Sequence, residues 1–136
     1  MKNRYLILVL FAGLFACKTD DVVPENPLDT AIVGNWNWVK SSGGIQGTTL
    51  TPTSTKYSLS YVFTKSNTYQ QTKNGALLQE GGYKLQHIFE SPSGKLTQKI
   101  TFLNLNETFV YTLKNDTLRI DEGCCDRFLH IYTKVK

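Results

Sequence analysis

From residue 56 onward the chain is written in short runs that alternate apolar and polar side chains. Tyr57, Leu59, Tyr61 and Phe63 alternate with Ser58, Ser60 and Thr64, and only Val62 breaks the polar set. Leu96, Ile100 and Phe102 alternate with Thr97, Lys99 and Thr101. Phe109, Tyr111 and Leu113 alternate with Thr108, Val110 and Thr112, and Leu118 and Ile120 with Thr117, Arg119 and Asp121. The last run, 127 to 135, carries Leu129 and Ile131 on one face and Phe128, His130 and Tyr132 on the other. A period of two places one face of an extended strand inward, which a helix cannot do.

Turn residues separate the runs at short intervals: Ser66-Asn67, Lys73-Asn74-Gly75, Ser91-Pro92-Ser93-Gly94, Asn104 to Asn106, Asn115-Asp116 and Gly123 to Asp126. Asn-Gly favours a tight hairpin because both residues tolerate positive φ. Eight strands are predicted, at roughly 35–41, 56–65, 67–73, 81–89, 95–103, 107–114, 116–121 and 127–134. No window carries a helical period apart from one turn over Leu28 to Val33. The expected class is all-β, an eight-stranded antiparallel up-and-down barrel, since closure removes the exposed edges of such a meander. Ser41 to Thr55, rich in Ser, Gly and Thr, reads as a long polar loop.

The N-terminus has a different character. Lys2 and Arg4 precede an uncharged apolar run from Tyr5 to Ala16, and Cys17 follows. Twelve such residues reach roughly 18 Å as a helix, too short for a hydrocarbon core of about 30 Å. The layout is that of a secretory signal. Leu14-Phe15-Ala16-Cys17 resembles the lipobox of bacterial lipoproteins, and the resemblance implies a signal peptide over 1–16 and lipidation of Cys17. Two or more acyl chains there would hold the protein stably on a membrane. Residues 17–27, with Pro24, Pro27 and three acids, read as a solvated tether. Asp20-Asp21 resembles the acidic export signal of surface-exposed lipoproteins in some Gram-negative bacteria. The expected location is the cell envelope, as an outer-membrane lipoprotein.

Charge excludes one class of partner. The chain has 15 basic and 11 acidic residues, and loss of Lys2 and Arg4 with the signal leaves 13 against 11. The bases are scattered, with no basic run and no interleaved aromatics, so no nucleic-acid footprint is present. Residues 28–136, about 109 in number, suit one domain that needs no disulfide or metal frame.

Leu28 to Trp36, ending Gly34-Asn35-Trp36, resembles the short helical turn and Gly-x-Trp that open lipocalins and lipocalin-like domains. The loop 41–55 sits where that family has its large first loop. Tyr61-Val62-Phe63, Asn67-Thr68-Tyr69, Asn74-Gly75, Gly82-Tyr83, Leu118-Arg119-Ile120 and Ile131-Tyr132 are similar to small bacterial lipocalin-like lipoproteins. The resemblance spans 28–136 and implies a lipocalin-like barrel. The domain is shorter than an ordinary lipocalin and lacks its long helix after the barrel, which argues against a large cavity. Trp36 is expected to plug the barrel base and Gly34 to turn the chain into the first strand. The expected inner wall is Trp38, Tyr57, Leu59, Tyr61, Phe63, Tyr83, Leu85, Phe102, Phe109 and Tyr111. A barrel of eight strands is either filled by side chains or holds one small ligand.

Cys124-Cys125 leaves three readings open: two unlinked thiols, a vicinal disulfide favoured by an oxidising compartment, or a metal site with Asp121, Glu122, Asp126 or His130. Zinc ligands usually lie two to four residues apart, unlike this pair. Nucleophile elbows and phosphate-binding glycine loops are absent from the sequence. His87 and His130 are its two histidines, and adjacent Asp121 and Glu122 would face apart on a strand. No enzyme activity and no cofactor is expected. Asp29-Thr30-Ala31 and Asp116-Thr117-Leu118 resemble a bacterial O-glycosylation pattern. The functional expectation is a lipid-anchored envelope barrel that binds a small apolar or amphipathic molecule. The alternative is a filled barrel that contacts an envelope protein or glycan through loops such as 41–55.

Overall fold

A computed structural model describes residues 30–90, 92–123 and 126–136, apart from the side chain of Glu90. The expected signal, tether and lipidated Cys17, together with Cys124 and Cys125, lie outside the described residues. The strands are β1 (Gly34–Gly43), β2 (Thr48–Leu50), β3 (Leu59–Phe63), β4 (Thr68–Lys73) and β5 (Ala76–Glu90). They continue with β6 (Lys95–Phe102), β7 (Glu107–Lys114), β8 (Thr117–Asp121) and β9 (Phe128–Lys134). One short helix, α1 (Pro52–Thr55), lies between β2 and β3. Every pairing is antiparallel, and β1 pairs with β9, so strands β1 and β3 to β9 close an eight-stranded up-and-down barrel. This is the fold class the alternation predicts, and it is consistent with a lipocalin-like barrel.

The connections β3–β4, β5–β6 and β7–β8 lie at the end where β1 starts, here termed the base. The remaining connections lie at the opposite end, the mouth. The base is shut by the chain entering it. Thr30 and Ala31 are helical, and Ile32 and Trp36 are completely buried. The Trp36 indole N–H donates to Ile32 O at 2.7 Å. Lys134 Nζ donates to Ala31 O at 3.1 Å and lies 5.2 Å from the Trp36 ring centre. Gly34 has φ 136°, a conformation that side chains other than hydrogen rarely adopt.

Three features depart from the predicted strand map. Residues 41–55 are not one loop. β1 runs on to Gly43, turns at 44–47 with Gly47 N donating to Gly44 O at 2.9 Å, and gains β2 along its upper edge. Thr51 then caps α1, with Thr51 and Ser54 satisfying each other's main-chain N–H groups. The second departure is β5, which begins at Ala76 and not near 81. Asn74 and Gly75 both have positive φ, as the hairpin reading required, so the strand leaves the turn at once. Gly81-Gly82 do not end it. A Cβ on Gly81 would lie 2.6 Å from Asn104 Oδ1, so the glycine admits the β6–β7 connection against the strand.

The third departure is a bulge in β1. Trp36 and Trp38 point inward, and strict alternation would send Lys40 inward next. The register with β9 shifts between Trp38 and Lys40. Val39 and Lys40 are exposed and Ser41 is buried. One extra residue thus re-aims the following side chain, as bulges do.

Beyond the bulge β1 meets β9 closely. A Cβ on Gly43 would lie 2.1 Å from Arg127 O and 2.8 Å from Phe128 Cα. Main chain cannot yield as a side chain can. Gly43→Ala is therefore expected to lower stability by about 3 kcal/mol, the upper part of the overpacking range. Gly47→Ala, where nothing lies within 4 Å, should cost about 1 kcal/mol for its positive φ. Urea denaturation midpoints of the two variants test this. Equal losses would show that β1 and β9 do not limit the fold at Gly43.

Candidate functional site

The lower barrel is packed solid with rings. Phe63 meets Tyr83 edge-on at 5.2 Å, and Tyr69 meets Phe102 edge-on at 4.5 Å. Tyr69 O–H donates to Asn104 Oδ1 at 2.7 Å and Tyr83 O–H to Thr64 O at 3.1 Å, so each buried phenol has a partner. Tyr61 sits above them. It stacks on Phe63 at 5.3 Å and on Phe102 at 5.9 Å, and meets Tyr132 edge-on at 5.3 Å.

Above Tyr61 the filling stops. A cavity of about 200 Å³ opens toward the mouth, lined by Leu59, Tyr61, Gln71, Gln79, Phe102, Leu105, Glu107, Phe109, Ile120, Glu122, His130 and Tyr132. Each strand from β3 to β9 contributes by the same rule of two. Ile120 faces inward, so Glu122 does too, while Asp121 is exposed. On β9 the inward face is Phe128, His130 and Tyr132, not Leu129 and Ile131, as the lining positions of His130 and Tyr132 require.

A hydrogen-bonded chain runs along one wall. Trp38 N–H donates to Ser41 Oγ at 2.8 Å, and Ser41 Oγ lies 2.6 Å from His130 Nδ1. His130 Nε2 lies 2.8 Å from Glu122 Oε1. The indole only donates and a carboxylate only accepts, which sets the directions. With a neutral imidazole, Nε2–H donates to Glu122, and the Ser41 hydroxyl donates to Nδ1 while accepting from Trp38. Phe128 N donates to Glu122 Oε2 at 3.2 Å. The carboxylate is thus held from two sides with acceptor capacity left toward the cavity. Ser41 is 2% exposed and already engaged on both sides, so its oxygen orients His130 and is not offered to the cavity. The β1 bulge is what makes this chain: without it Ser41 would face solvent, and an orphaned buried indole N–H would cost about 1–3 kcal/mol. Gln79 Nε2 donates to Gln71 Oε1 at 2.8 Å on the facing wall.

Among the predicted wall residues, Leu59, Tyr61, Phe102 and Phe109 line the cavity. Trp38, Phe63, Tyr83 and Tyr111 are buried in the filling, and Leu85 packs against it. Tyr57 stacks on Trp38 at 5.6 Å, with Lys73 Nζ 4.2 Å from its ring centre, and so covers the core from outside the cavity. His87 Nε2 lies 3.0 Å from Tyr111 O–H, away from the lining. Of the glycosylation-like threonines, Thr30 is exposed and Thr117 half-buried. The sequence reading missed Gln71, Gln79, Leu105, Glu107, Ile120, Glu122, His130 and Tyr132. Extending the alternation of β8 by one step beyond its end would have found Glu122, and the same period counted on from Tyr69 within β4 would have found Gln71. Choosing the inner face of β9 required the register with β1.

Burial raises the Tyr61 phenol well above its ordinary value. Tyr69 adds to the rise, the Gln79 hydrogen bond opposes it, and the Glu122 carboxylate adds a little more. Tyr132 is raised well above the usual value by burial, then by Tyr61 and Glu122. No family model, curated protein or solved structure matches the chain.

An unfolded tyrosine ionises near about pH 10, whereas native Tyr61 and Tyr132 keep their protons above it. The stability these two contribute is intact below about pH 10 and is lost as the pH rises further, because only the unfolded chain releases the protons. Tyrosinate absorbance followed with near-ultraviolet circular dichroism should show Tyr61 and Tyr132 ionising only as the fold is lost. A native-state ionisation step near pH 10 that Tyr61→Phe removes would contradict the burial.

Proposed function

We propose that this protein is a lipid-anchored, lipocalin-like barrel of the cell envelope that binds one small apolar or amphipathic molecule in its mouth cavity. The observation that carries this reading is the abrupt end of the aromatic filling at Tyr61, with a cavity of about 200 Å³ above it. Aromatic walls and a few fixed polar groups are the usual make-up of a small-molecule site.

The anchor reading rests on Leu14-Phe15-Ala16-Cys17 and the short apolar run before it. The barrel geometry is compatible with it. Thr30 lies at the base, the end of the barrel opposite the mouth. Asp20-Asp21 supports a position on the outer surface.

One observation favours the second reading, contact with an envelope protein or glycan. Ile45, Leu77, Leu78, Leu103 and Leu105 are exposed on three connections or strand ends at the mouth. Apolar side chains gathered at a rim are a recurrent feature of docking surfaces.

Two measurements separate these parts. Cys17→Ser should move the protein out of the membrane fraction or stall its processing, and unchanged association with normal processing would remove the lipoprotein reading. Native mass spectrometry of the full chain, gently extracted from its own host, should show a bound mass that leaves on denaturation. Absence of such a mass, together with no binding to a panel of lipids and aromatic compounds, would favour the docking reading.

A further inference from the structure

The cavity has a charge character opposite to that of the chain around it. Without the expected signal the sequence still holds more basic than acidic residues, 13 against 11. Yet the cavity lining contains Glu107 and Glu122 and no lysine or arginine. Among the described residues no lysine or arginine pairs with the Glu122 carboxylate. Arg127, the nearby base, donates from Nη1 to the main-chain oxygen of Glu122 at 3.1 Å. The carboxylate is fixed instead by the His130 ring and the Phe128 N–H. Those groups hold it in place and, with a neutral imidazole, leave its charge standing.

The rest of the lining suits a cation as well. Tyr61, Phe102, Phe109 and Tyr132 surround the space. Aromatic faces attract a positive charge, more strongly where water is excluded. A carboxylate or phosphate headgroup would meet two acids there and no lysine or arginine, with both ring nitrogens of His130 already engaged by Ser41 and Glu122. The size is also selective. A cavity of roughly 150 Å³ takes a benzene molecule, so about 200 Å³ encloses one ring with a short arm and only part of a long acyl chain.

We propose that the mouth cavity takes a small organic ammonium ion, one aromatic ring or short apolar body carrying an amine, with the charged nitrogen at Glu122 and the body against Tyr61, Phe102 and Phe109. This rests on the small-molecule reading above and names the ligand class for it. Glu107, exposed at the rim, adds attraction at the entrance. Spare lone pairs on Glu122 accept the N–H groups, and charge-assisted hydrogen bonds of this kind are stronger than neutral ones.

The test is calorimetric titration of the full-length protein in lipid nanodiscs with phenethylamine, phenethyl alcohol and phenylacetate. The three share ring and reach and differ in charge. Phenethylamine should bind about tenfold or more tightly than the alcohol, the worth of one charged hydrogen bond, and phenylacetate should bind most weakly. Glu122→Gln should abolish the preference for the amine over the alcohol. Near-ultraviolet circular dichroism checks that this variant is folded. If it is not, Glu107→Gln carries the test with a smaller loss of the same preference. Equal affinity for amine and alcohol in the unaltered protein would overturn the cation class and leave small-molecule binding standing. Tighter binding of phenylacetate would do the same. Failure of all three probes to bind would overturn the cation class, and the small-molecule reading falls with it only where native mass spectrometry also shows no bound mass.

Discussion

The pairing of β1 with β9 is the constraint on which the rest of this structure depends. It converts a meander into a closed barrel and leaves no long sheet edge between first and last strands. It also fixes which side chains face inward on both strands. Gly43 permits the two backbones to meet near the mouth, and Trp36 with Ile32 seals the other end. A bulge between these points shifts the phase of β1 by one residue. The lower half of the strand therefore delivers two tryptophans to the core, and the upper half delivers a serine.

That serine links packing to the cavity. It accepts the Trp38 indole proton and reaches His130, which reaches Glu122. A buried polar group has to be satisfied, and this chain does so in sequence, from the packed core to the cavity wall. The result is a carboxylate with restricted motion in a partly desolvated place. Its field reaches the phenols of Tyr61 and Tyr132, where it adds to the effect of burial. Polar pairs elsewhere, such as Ser60 with Thr72 and Thr101 with Thr108, lie between neighbouring strands and support the ladders only.

Alternation made the fold legible. Tyr57 to Phe63, Leu96 to Phe102 and Phe109 to Leu113 show their inner faces without any tertiary information, because pleat geometry is local. The closing tryptophan was legible through the resemblance of Gly34-Asn35-Trp36 to the lipocalin Gly-x-Trp. The cavity was less legible. Of the aromatics expected to line it, Phe63, Tyr83 and Tyr111 fill the barrel instead, since sequence gives a residue's face but not its height along the barrel. Glu122, just past the end of β8, and His130 on β9 lie eight residues apart, and the pairing of β8 with β9, Asp121 opposite Leu129, brings them together.

The sequence by itself determined an all-β chain, most of its strand spacing and the inner faces of β3, β6, β7 and β8, each a consequence of local backbone geometry, while the plug at Trp36 was implied by the lipocalin-like Gly-x-Trp. Tertiary structure decided where the filling ends and what charge lines the space above it. Those depend on strand register, on one bulge at Val39 and on close contacts at Gly43 and Gly81. All three are set by chain segments far apart in sequence, and a one-residue change in any of them sends different side chains inward.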